Sequence, residues 1–397
     1  EAMIRINSYL HREELLEIIR RWMYSDVHPA DAGRVTRLVH FNQEYIARYL
    51  REFAVRLFRG LFGMDPVFQP VTVKGELKDC LVARPPYRNE RIDRLIRDYA
   101  AFPGHYFRET PFDGWLVFVG REDPAALAGS MRIKRDRRLA EKAARRITDR
   151  IFDRIRAHAD QLAEARARRL GIQPGQLVTT PEDMRDEFLR AEARLLSNLR
   201  HGQAIEDGEP LAINDVAGLK LILPDGRLGE LESVLASMDG CSVLEKEQHT
   251  GHYNAVNYIV RLEPPREALL AEPLSAGVVE ILKRKGDDPE AAAREFLAFV
   301  RSGEPDVHLE IIVSDYQETL ESEIGRCMHE DRIIEQRLRR EYRGSMAKNM
   351  EYLLEYLFAF AASPRRELET LPVKLWDRYL PDYFDGVLKE LYGIPDS

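Results

Sequence analysis

The chain has 397 residues, of which 44% are hydrophobic and 32% charged, with a formal net charge of -8. This length predicts two or three domains with real hydrophobic cores, and the acidic balance argues against a protein that coats nucleic acid over its whole surface. Three widely spaced cysteines, no apolar run of roughly 20 residues and no signal-peptide core favour a cytoplasmic protein without a disulfide framework, zinc site or membrane span.

Residues 1–125 read as a mainly helical N-terminal region of unknown role. Apolar residues at helical spacing predict helices over 12–62 and 88–101. Runs of β-branched and aromatic residues predict strands at 65–75 and 114–119. A long, arginine-rich helical stretch is predicted over 132–170, and a further helix over 181–201, after turn signals.

From residue 211 the pattern changes to an α+β domain. LAINDVAGLKLIL reads as one strand, LGELESVLASMDG as a helix, and CSVLEKE with HYNAVNYIVRLE as a hairpin. An insertion at 264–305, a strand at 307–313 and a helix at 316–342 follow. The predicted fold is a mixed sheet with packed helices inside a mostly helical chain. The tail 346–397 is predicted to be helical and docked on the rest.

Glu310 breaks the local pattern of its strand. Val307, Leu309, Ile311 and Val313 alternate and define a buried face, so Glu310 lies on the opposite face with apolar neighbours. An exposed strand face would explain this carboxylate. A departure from the local rule is also expected at a functional site.

Asp215 lies at the entry to an earlier strand. Two carboxylates from neighbouring strands are a common way to hold Mg²⁺ against nucleotide phosphates, because Mg²⁺ prefers oxygen ligands. Asn214 and Asp215 would also suit a simple turn. Asp215 and Glu310 are therefore the candidate metal ligands and catalytic carboxylates.

Two further segments carry candidate residues. Tyr253 follows the predicted hairpin turn, where an aromatic ring can stack on a purine or simply pack on its neighbours. The predicted helix 316–342 carries Glu323 and His329, with Gly325 at a position where glycine costs about 1 kcal/mol relative to alanine and therefore needs a packing reason.

In order, these segments resemble the synthetase domain of the RelA/SpoT family. That family has a D-[IVL]-x-[GA]-[IL]-[KR] strand, matched here by Asp215 to Lys220, and a Tyr segment matched in part by His252 to Asn257. Its last strand and helix read roughly E-x-Q-[IV]-R-[ST] and A-E-x-G-x-A-x-H. Glu310, Glu323, Gly325 and His329 fall at that spacing without a gap, and the match covers roughly 211–342.

The resemblance implies a nucleotidyltransferase-like mixed sheet, with a synthetase domain over 126–345 that carries helical insertions near 145–210 and 264–305. It implies transfer of pyrophosphate from ATP to the 3′-hydroxyl of GTP or GDP, giving an alarmone of the (p)ppGpp type. Asp215 would hold Mg²⁺, Glu310 would accept or orient the hydroxyl proton and share the metal, and Tyr253 would stack on guanine. Asn257, Glu323 and His329 would line the nucleotide site.

The family grips ATP with an R-x-K motif followed by a second lysine. Arg132, Lys134 and Lys142 stand at these offsets, although Arg138 replaces the usual serine. Two other segments compete for this role. They are Gly75 to Lys78, and the helix over 185–200 with Arg190 and Arg194.

The basic stretch 132–156 also has simpler readings. It can be a solvated amphipathic helix with Ile147, Ile151 and Ile155 as its core stripe. Such a helix could also contact RNA phosphates, although it lacks interleaved aromatic residues.

The chain departs from the family pattern at several positions. Ile312 and Ser314 stand where the family has glutamine and arginine after the strand glutamate, and Asn257 stands where it has histidine. The family's His-Asp hydrolase domain is not found. These departures leave two alternatives open. The first is a catalytically silent nucleotide-binding or interaction module, and the second is a toxin-like relative with another acceptor.

Overall fold

The computed structural model describes residues 4–120, 126–200, 211–251, 254–325, 344–375 and 381–395. Within these residues, seven strands form one mixed sheet in the order β2-β3-β4-β6-β9-β8-β7, and β1 and β5 form a separate parallel pair. Only β6 and β9 are parallel neighbours in the larger sheet. The strands are β1 Ile4–Ile6, β2 Val67–Val73, β3 Pro111–Val119, β4 Ala126–Ile133, β5 Leu211–Ile213, β6 Ala217–Ile222, β7 Cys241–His249, β8 Ala255–Leu262 and β9 Val307–Ser314.

Helices pack around this sheet, in agreement with the predicted mixed α and β class. None of the helices among the described residues is long and apolar enough to cross a membrane. The helices are α1 Arg12–Met23, α2 Asp31–Phe62, α3 Lys74–Ala83, α4 Glu90–Ala101, α5 Asp136–Leu170, α6 Pro181–Arg200, α7 Leu228–Ser237, α8 Arg266–Leu269, α9 Ala276–Arg284, α10 Pro289–Ser302, α11 Tyr316–Leu320, α12 Gly344–Ala362 and α13 Pro381–Tyr392.

The two faces of the sheet bury different cores. Leu219, Leu309 and Ile311 point into the main core, which helices such as α2 and α7 complete. On the other face, α3, α4 and α11 cover the β2–β3 side with a smaller core that includes Leu116 and Leu320. We call this second face the polar face, because Arg132, Lys220, Glu310 and Asn257 occupy its strands β4, β6, β9 and β8.

Several predicted elements are confirmed. The helices over 12–62 and 88–101 and the strands near 65–75 and 114–119 are present, as are the hairpin of β7 and β8 and the helical tail. The insertion at 264–305 holds three helices. Of the predicted helix 316–342, the structure describes α11 and a following π-helical turn, Glu321–Gly325. Residues 326–343 lie outside the described part.

Residues 126–133 form a strand, and the helical prediction from 132 is wrong at its start. Helix α5 begins at Asp136, so Arg132 lies on β4 and only Lys142 of the basic set lies on the helix. β4 pairs with β3 on one side and with β6 on the other. The boundary predicted at residue 125 therefore separates two paired strands of one sheet, and the N-terminal region contributes β2 and β3 to it.

The predicted strand over 211–223 is in fact two strands. β5 pairs with β1, whereas β6 belongs to the seven-stranded sheet, so the chain changes sheets at Asn214 to Val216. Asp215 therefore lies in the connection, two residues before β6 begins.

Lys285, at the end of α9, binds α12 and the segment that follows it, and its burial predicts that the stability of the protein depends on pH. Its Nζ donates to the carbonyl oxygens of Phe360 and Arg365 at 2.9 and 2.8 Å, and burial lowers its pKa from 10.5 to about 8. Because the unfolded chain then binds more protons between these values, stability should rise by about 1.4 kcal/mol per pH unit from pH 8 towards 10.5. The gain in stability is complete above pH 10.5, where the lysine is neutral in both the folded and the unfolded chain. It is lost as the pH falls towards 8, because the buried lysine must then carry its charge in the folded protein.

Urea unfolding of the wild type and of Lys285→Met across this pH range measures the effect. The variant should lack this rise, so that the difference in stability between the two proteins changes with pH. A difference that stays constant from pH 8 to 10.5 would contradict the assignment.

Candidate active site on the polar face of the sheet

A row of four residues crosses the middle of the polar face. Arg132 on β4 pairs with Gly114 on β3 and with Gly218 on β6, and Gly218 pairs with Glu310 on β9. A Cβ atom at Gly218 would lie 3.8 Å from Arg132 Cγ and 4.0 Å from the Glu310 carbonyl oxygen. Gly218 therefore places no side chain on the polar face between Arg132 and Glu310.

Asp215 lies to one side of this row, three residues before Gly218 along the chain, and its carboxylate contacts two lysines. Its Oδ2 accepts hydrogen bonds from Lys134 Nζ at 2.6 Å and Lys142 Nζ at 2.5 Å. Lys134 directly follows β4, and Lys142 lies on α5. The end of a strand, a helix and the β5–β6 connection therefore meet at Asp215. The structure therefore brings together the predicted residues Arg132, Lys134, Lys142, Asp215 and Glu310.

Neighbouring residues fix the turn that carries Asp215. Asn214 Oδ1 accepts from Asn7 Nδ2 at 2.8 Å and lies 3.1 Å from His308 Nδ1. The Lys134 backbone N–H donates to the Val216 carbonyl at 2.8 Å. With both flanking residues held, the Asp215 side chain is pre-positioned, as a binding or catalytic carboxylate requires.

The site shifts the pKa values of its ionisable groups. Burial raises the pKa of Glu310. The positive charge of Arg132 opposes this rise, and the negative charge of Asp215 adds to it. Burial would also raise the pKa of Asp215, but Lys134 and Lys142 outweigh it and hold that pKa well below its usual range. Burial lowers the pKa of Lys134 to about 8 despite Asp215. Glu310 is thus the more basic carboxylate of the two, which suits a group that accepts a proton.

A second ionic cluster occupies the polar face beyond Glu310. Lys74 Nζ donates to both carboxylate oxygens of Glu323, at 3.0 and 2.8 Å. Lys220 Nζ lies 3.5 Å from Glu323 Oε1 and donates to Ser322 Oγ at 2.9 Å. Glu323 is buried, and these lysines hold its pKa well below its usual range, although burial acts in the opposite direction. The predicted nucleotide-binding residue Glu323 therefore contacts lysines, not the Asp215 centre.

The remaining predicted residues are placed as follows. Asn257 lies on the polar face opposite Ile312, and its buried Oδ1 accepts no hydrogen bond from the described residues. Tyr253 and His329 lie outside the described residues, so their predicted roles stay predictions. Arg190 and Arg194 are exposed on α6. The rival segment Gly75 to Lys78 lies on α3, beside the Glu323 cluster.

The Asp215 centre offers oxygen atoms of the type that Mg²⁺ prefers as ligands. Asp215 Oδ1 is buried and accepts no hydrogen bond from any described residue, while Oδ2 binds both lysines. This oxygen and the Glu310 carboxylate are hard oxygen donors on adjacent segments. No group of three or more His, Cys, Asp or Glu side chains in the described part of the chain could hold a metal alone. Nucleotide phosphates would have to supply further ligands, as is usual for Mg²⁺.

Sequence reasoning did not select Lys74 or Lys220 as site residues. Lys220 carries a readable signal, because it is the one charged residue in the apolar run AGLKLIL and lies on the same face as Gly218. Lys74 carries none, since its proximity to Glu323 depends on the packing of α3 against α11.

Comparison with known proteins does not assign this arrangement to a family: no family model, curated protein or solved structure matches the chain.

Proposed function

We propose that this chain is a RelA/SpoT-like nucleotide pyrophosphokinase with a nucleotidyltransferase-like sheet. In this proposal it transfers the β,γ-pyrophosphate of ATP to the 3′-hydroxyl of GTP or GDP in the cytoplasm. The observation that carries the proposal is the convergence of Arg132, Lys134 and Lys142 on Asp215 and Glu310. The sequence resemblance assigns these five residues to one site, and three separate segments supply them.

The residues suit an in-line transfer between two nucleotides. In the transfer, the bond between the β-phosphorus of ATP and the oxygen that bridges it to the α-phosphate breaks. The β-phosphorus bonds to the 3′-oxygen of the acceptor, and AMP leaves with the bridging oxygen. Glu310, with its raised pKa, accepts the hydroxyl proton. Lys134, Lys142 and Arg132 bind the donor phosphates, and catalysis rests on positioning and charge stabilisation.

Asp215 and Glu310 would hold Mg²⁺, which supplies charge neutralisation on the phosphates when it is bound. Asp215 Oδ1 and the Glu310 carboxylate are the donors the protein provides. Lys134 and Lys142 then keep Asp215 ionised, since their charges lower its pKa.

Incubation with ATP labelled in its γ-phosphate, Mg²⁺ and each purine nucleotide tests this function. We expect label in a guanosine product carrying a 3′-pyrophosphate, with one AMP released per transfer, identified by mass spectrometry. Transfer to an adenine nucleotide or a tRNA end instead would establish the toxin-like alternative. Binding of nucleotides without any transfer would establish the silent module and refute the proposed reaction.

A further inference from the structure

The N-terminal strand β1 and the residues that follow it lie between the two chain segments that carry the candidate catalytic carboxylates. We infer that Asn7, with Asn214 and His308, forms a positioning network that holds the Asp215 turn at a fixed distance from Glu310. The network acts through these two carboxylates and does not bind substrate itself. Its role rests on the proposed function, because it is defined by the transfer that Asp215 and Glu310 carry out.

The backbone of Asn7 bridges the two segments directly. Its N–H donates to the carbonyl oxygen of Ile213 at 2.9 Å, and its carbonyl oxygen accepts from the His308 N–H at 2.9 Å. Ile213 ends β5 two residues before Asp215. His308 lies on β9, two residues before Glu310. One residue of the N-terminal segment therefore joins the two segments just before each carboxylate.

The side chains of the network meet on one oxygen atom of Asn214, the residue directly before Asp215. Asn7 Nδ2 donates to Asn214 Oδ1 at 2.8 Å, and His308 Nδ1 lies 3.1 Å from the same oxygen. Since an amide oxygen only accepts hydrogen bonds, His308 carries a hydrogen on Nδ1 in this arrangement. One donor from the N-terminal segment and one from β9 thus orient the backbone that leads into Asp215.

Helix α2 anchors the N-terminal segment, so the segment can serve as a fixed support for the site. Asn42 on α2 accepts from the Leu10 N–H at 2.6 Å and donates to the Leu10 carbonyl oxygen at 3.1 Å. Tyr49 on the same helix donates to the Ser8 carbonyl oxygen at 3.1 Å. Ser8 Oγ in turn donates to the His308 carbonyl oxygen at 2.7 Å. Contacts from a core helix therefore reach β9 through this segment.

The polar side chains buried here need a reason that packing alone does not supply. Asn7 is 8% exposed, and Ser8 is fully buried. Apolar side chains would also hold β1 on β5, without the cost of removing an amide and a hydroxyl from water. Hydrogen bonds, however, fix one distance and one orientation. That precision matters beside two catalytic carboxylates, since a shift of about 1 Å can lower a reaction rate about 100-fold.

Kinetics and nucleotide binding of Asn7→Ala form the first test. The variant removes the side-chain donor to Asn214, while the backbone of residue 7 can still pair. We expect kcat to fall about 10- to 100-fold, because the Asp215 turn is no longer held in place relative to Glu310. The dissociation constant for ATP with Mg²⁺ should rise at least about threefold, because Asp215 offers a ligand oxygen, whereas that for GDP should stay within about twofold.

Asn89→Ala is the matched control for this substitution. Asn89 caps helix α4 by accepting from the Ile92 N–H at 2.9 Å, and its Nδ2 donates to Gln317 Oε1 at 2.8 Å. Helix α4 belongs to the smaller core, whereas the segment around Asn7 packs on the main core. Both variants should unfold at a lower urea concentration than wild type, but only Asn7→Ala should lose kcat. An equal kcat in the two variants would refute the positioning role.

A double-mutant cycle tests whether the side chains act as one network. If Asn7 acts through Asn214, the variant that combines Asn7→Ala with Asn214→Ala should lose no more kcat than the weaker of the two single variants. His308→Phe keeps a ring but removes the second donor, and should lower kcat about three- to tenfold, the value of one neutral hydrogen bond. If Asn7→Ala does not fold, His308→Phe decides, and a wild-type kcat in that variant would refute the network.

Failure of the network can be distinguished from failure of the proposed function. If the wild type transfers pyrophosphate and Asn7→Ala keeps the wild-type kcat, the positioning role is wrong and the function stands. If the wild type transfers nothing, titration calorimetry of ATP with Mg²⁺ decides. Weaker binding by Asn7→Ala than by Asn89→Ala would then uphold the network as the support of a nucleotide site, and equal binding would refute it.

Discussion

Replacing Glu310 by glutamine should lower the rate of pyrophosphate transfer about 10²- to 10⁴-fold, the usual contribution of a positioned general base. Glutamine keeps the size of the side chain and its place between Gly218 and Ile259 but cannot accept a proton. The loss should therefore fall on kcat. The dissociation constants for GDP and for ATP without Mg²⁺, measured by titration calorimetry in the absence of turnover, should stay within a few-fold of wild type.

Glu245→Gln is the matched control for this substitution. Glu245 is an exposed carboxylate on β7, in the same sheet and in line with Ile259. It should leave both kcat and the binding constants unchanged. If Glu310→Gln retained more than about a tenth of the wild-type kcat, Glu310 would not be the base, and its burial beside Arg132 would have a structural cause.

The sequence alone was enough to predict strand β9 and its unusual carboxylate. Val307, Leu309, Ile311 and Val313 are buried as the alternation predicts, and Glu310 lies on the other face. This succeeded because a two-residue period is a local property of the chain. The same period cannot show what lies opposite Glu310. The neighbours Gly218 and Arg132 follow from strand pairing over a long separation in sequence.

Strand β4 could not be read from the sequence for a physical reason. Its residues Ala126, Ala128, Gly129 and Ser130 have weak strand propensity, and the arginine-rich helix that follows favoured a helical reading. The strand forms because β3 and β6 pair with it on both sides. Gly129 is needed there, since a Cβ atom would lie 2.3 Å from the Lys220 carbonyl oxygen.

The contribution of the N-terminal region was also beyond sequence reasoning. Lys74 follows β2 and reaches Glu323 across 249 positions of sequence, at a place where α3 packs near α11. The predicted boundary at residue 125 hid this contact, because it assigned the two residues to different domains. Tertiary packing, and not any local pattern, joins them.

Asp215→Asn should have the second large effect, on both activity and stability. The variant leaves Lys134 and Lys142 in a largely buried place without the carboxylate that both contact. Breaking a buried ionic group in this way costs about 3 kcal/mol or more. We expect this loss in urea unfolding, together with a fall in transfer rate of about 100-fold or more, because a Mg²⁺ ligand is removed as well.

Addition of an anion should show whether Asp215→Asn loses stability through the uncompensated charges of Lys134 and Lys142 or through general misfolding. Inorganic triphosphate without Mg²⁺ can supply the negative charge that the two lysines lack, since it binds the folded state and stabilises it by mass action. Its effect on the melting temperature should therefore be larger in Asp215→Asn than in wild type. Adding Lys142→Met to Asp215→Asn should recover part of the lost stability and reduce the response to triphosphate. An equal response in all three proteins would mean that Lys134 and Lys142 do not form a phosphate site.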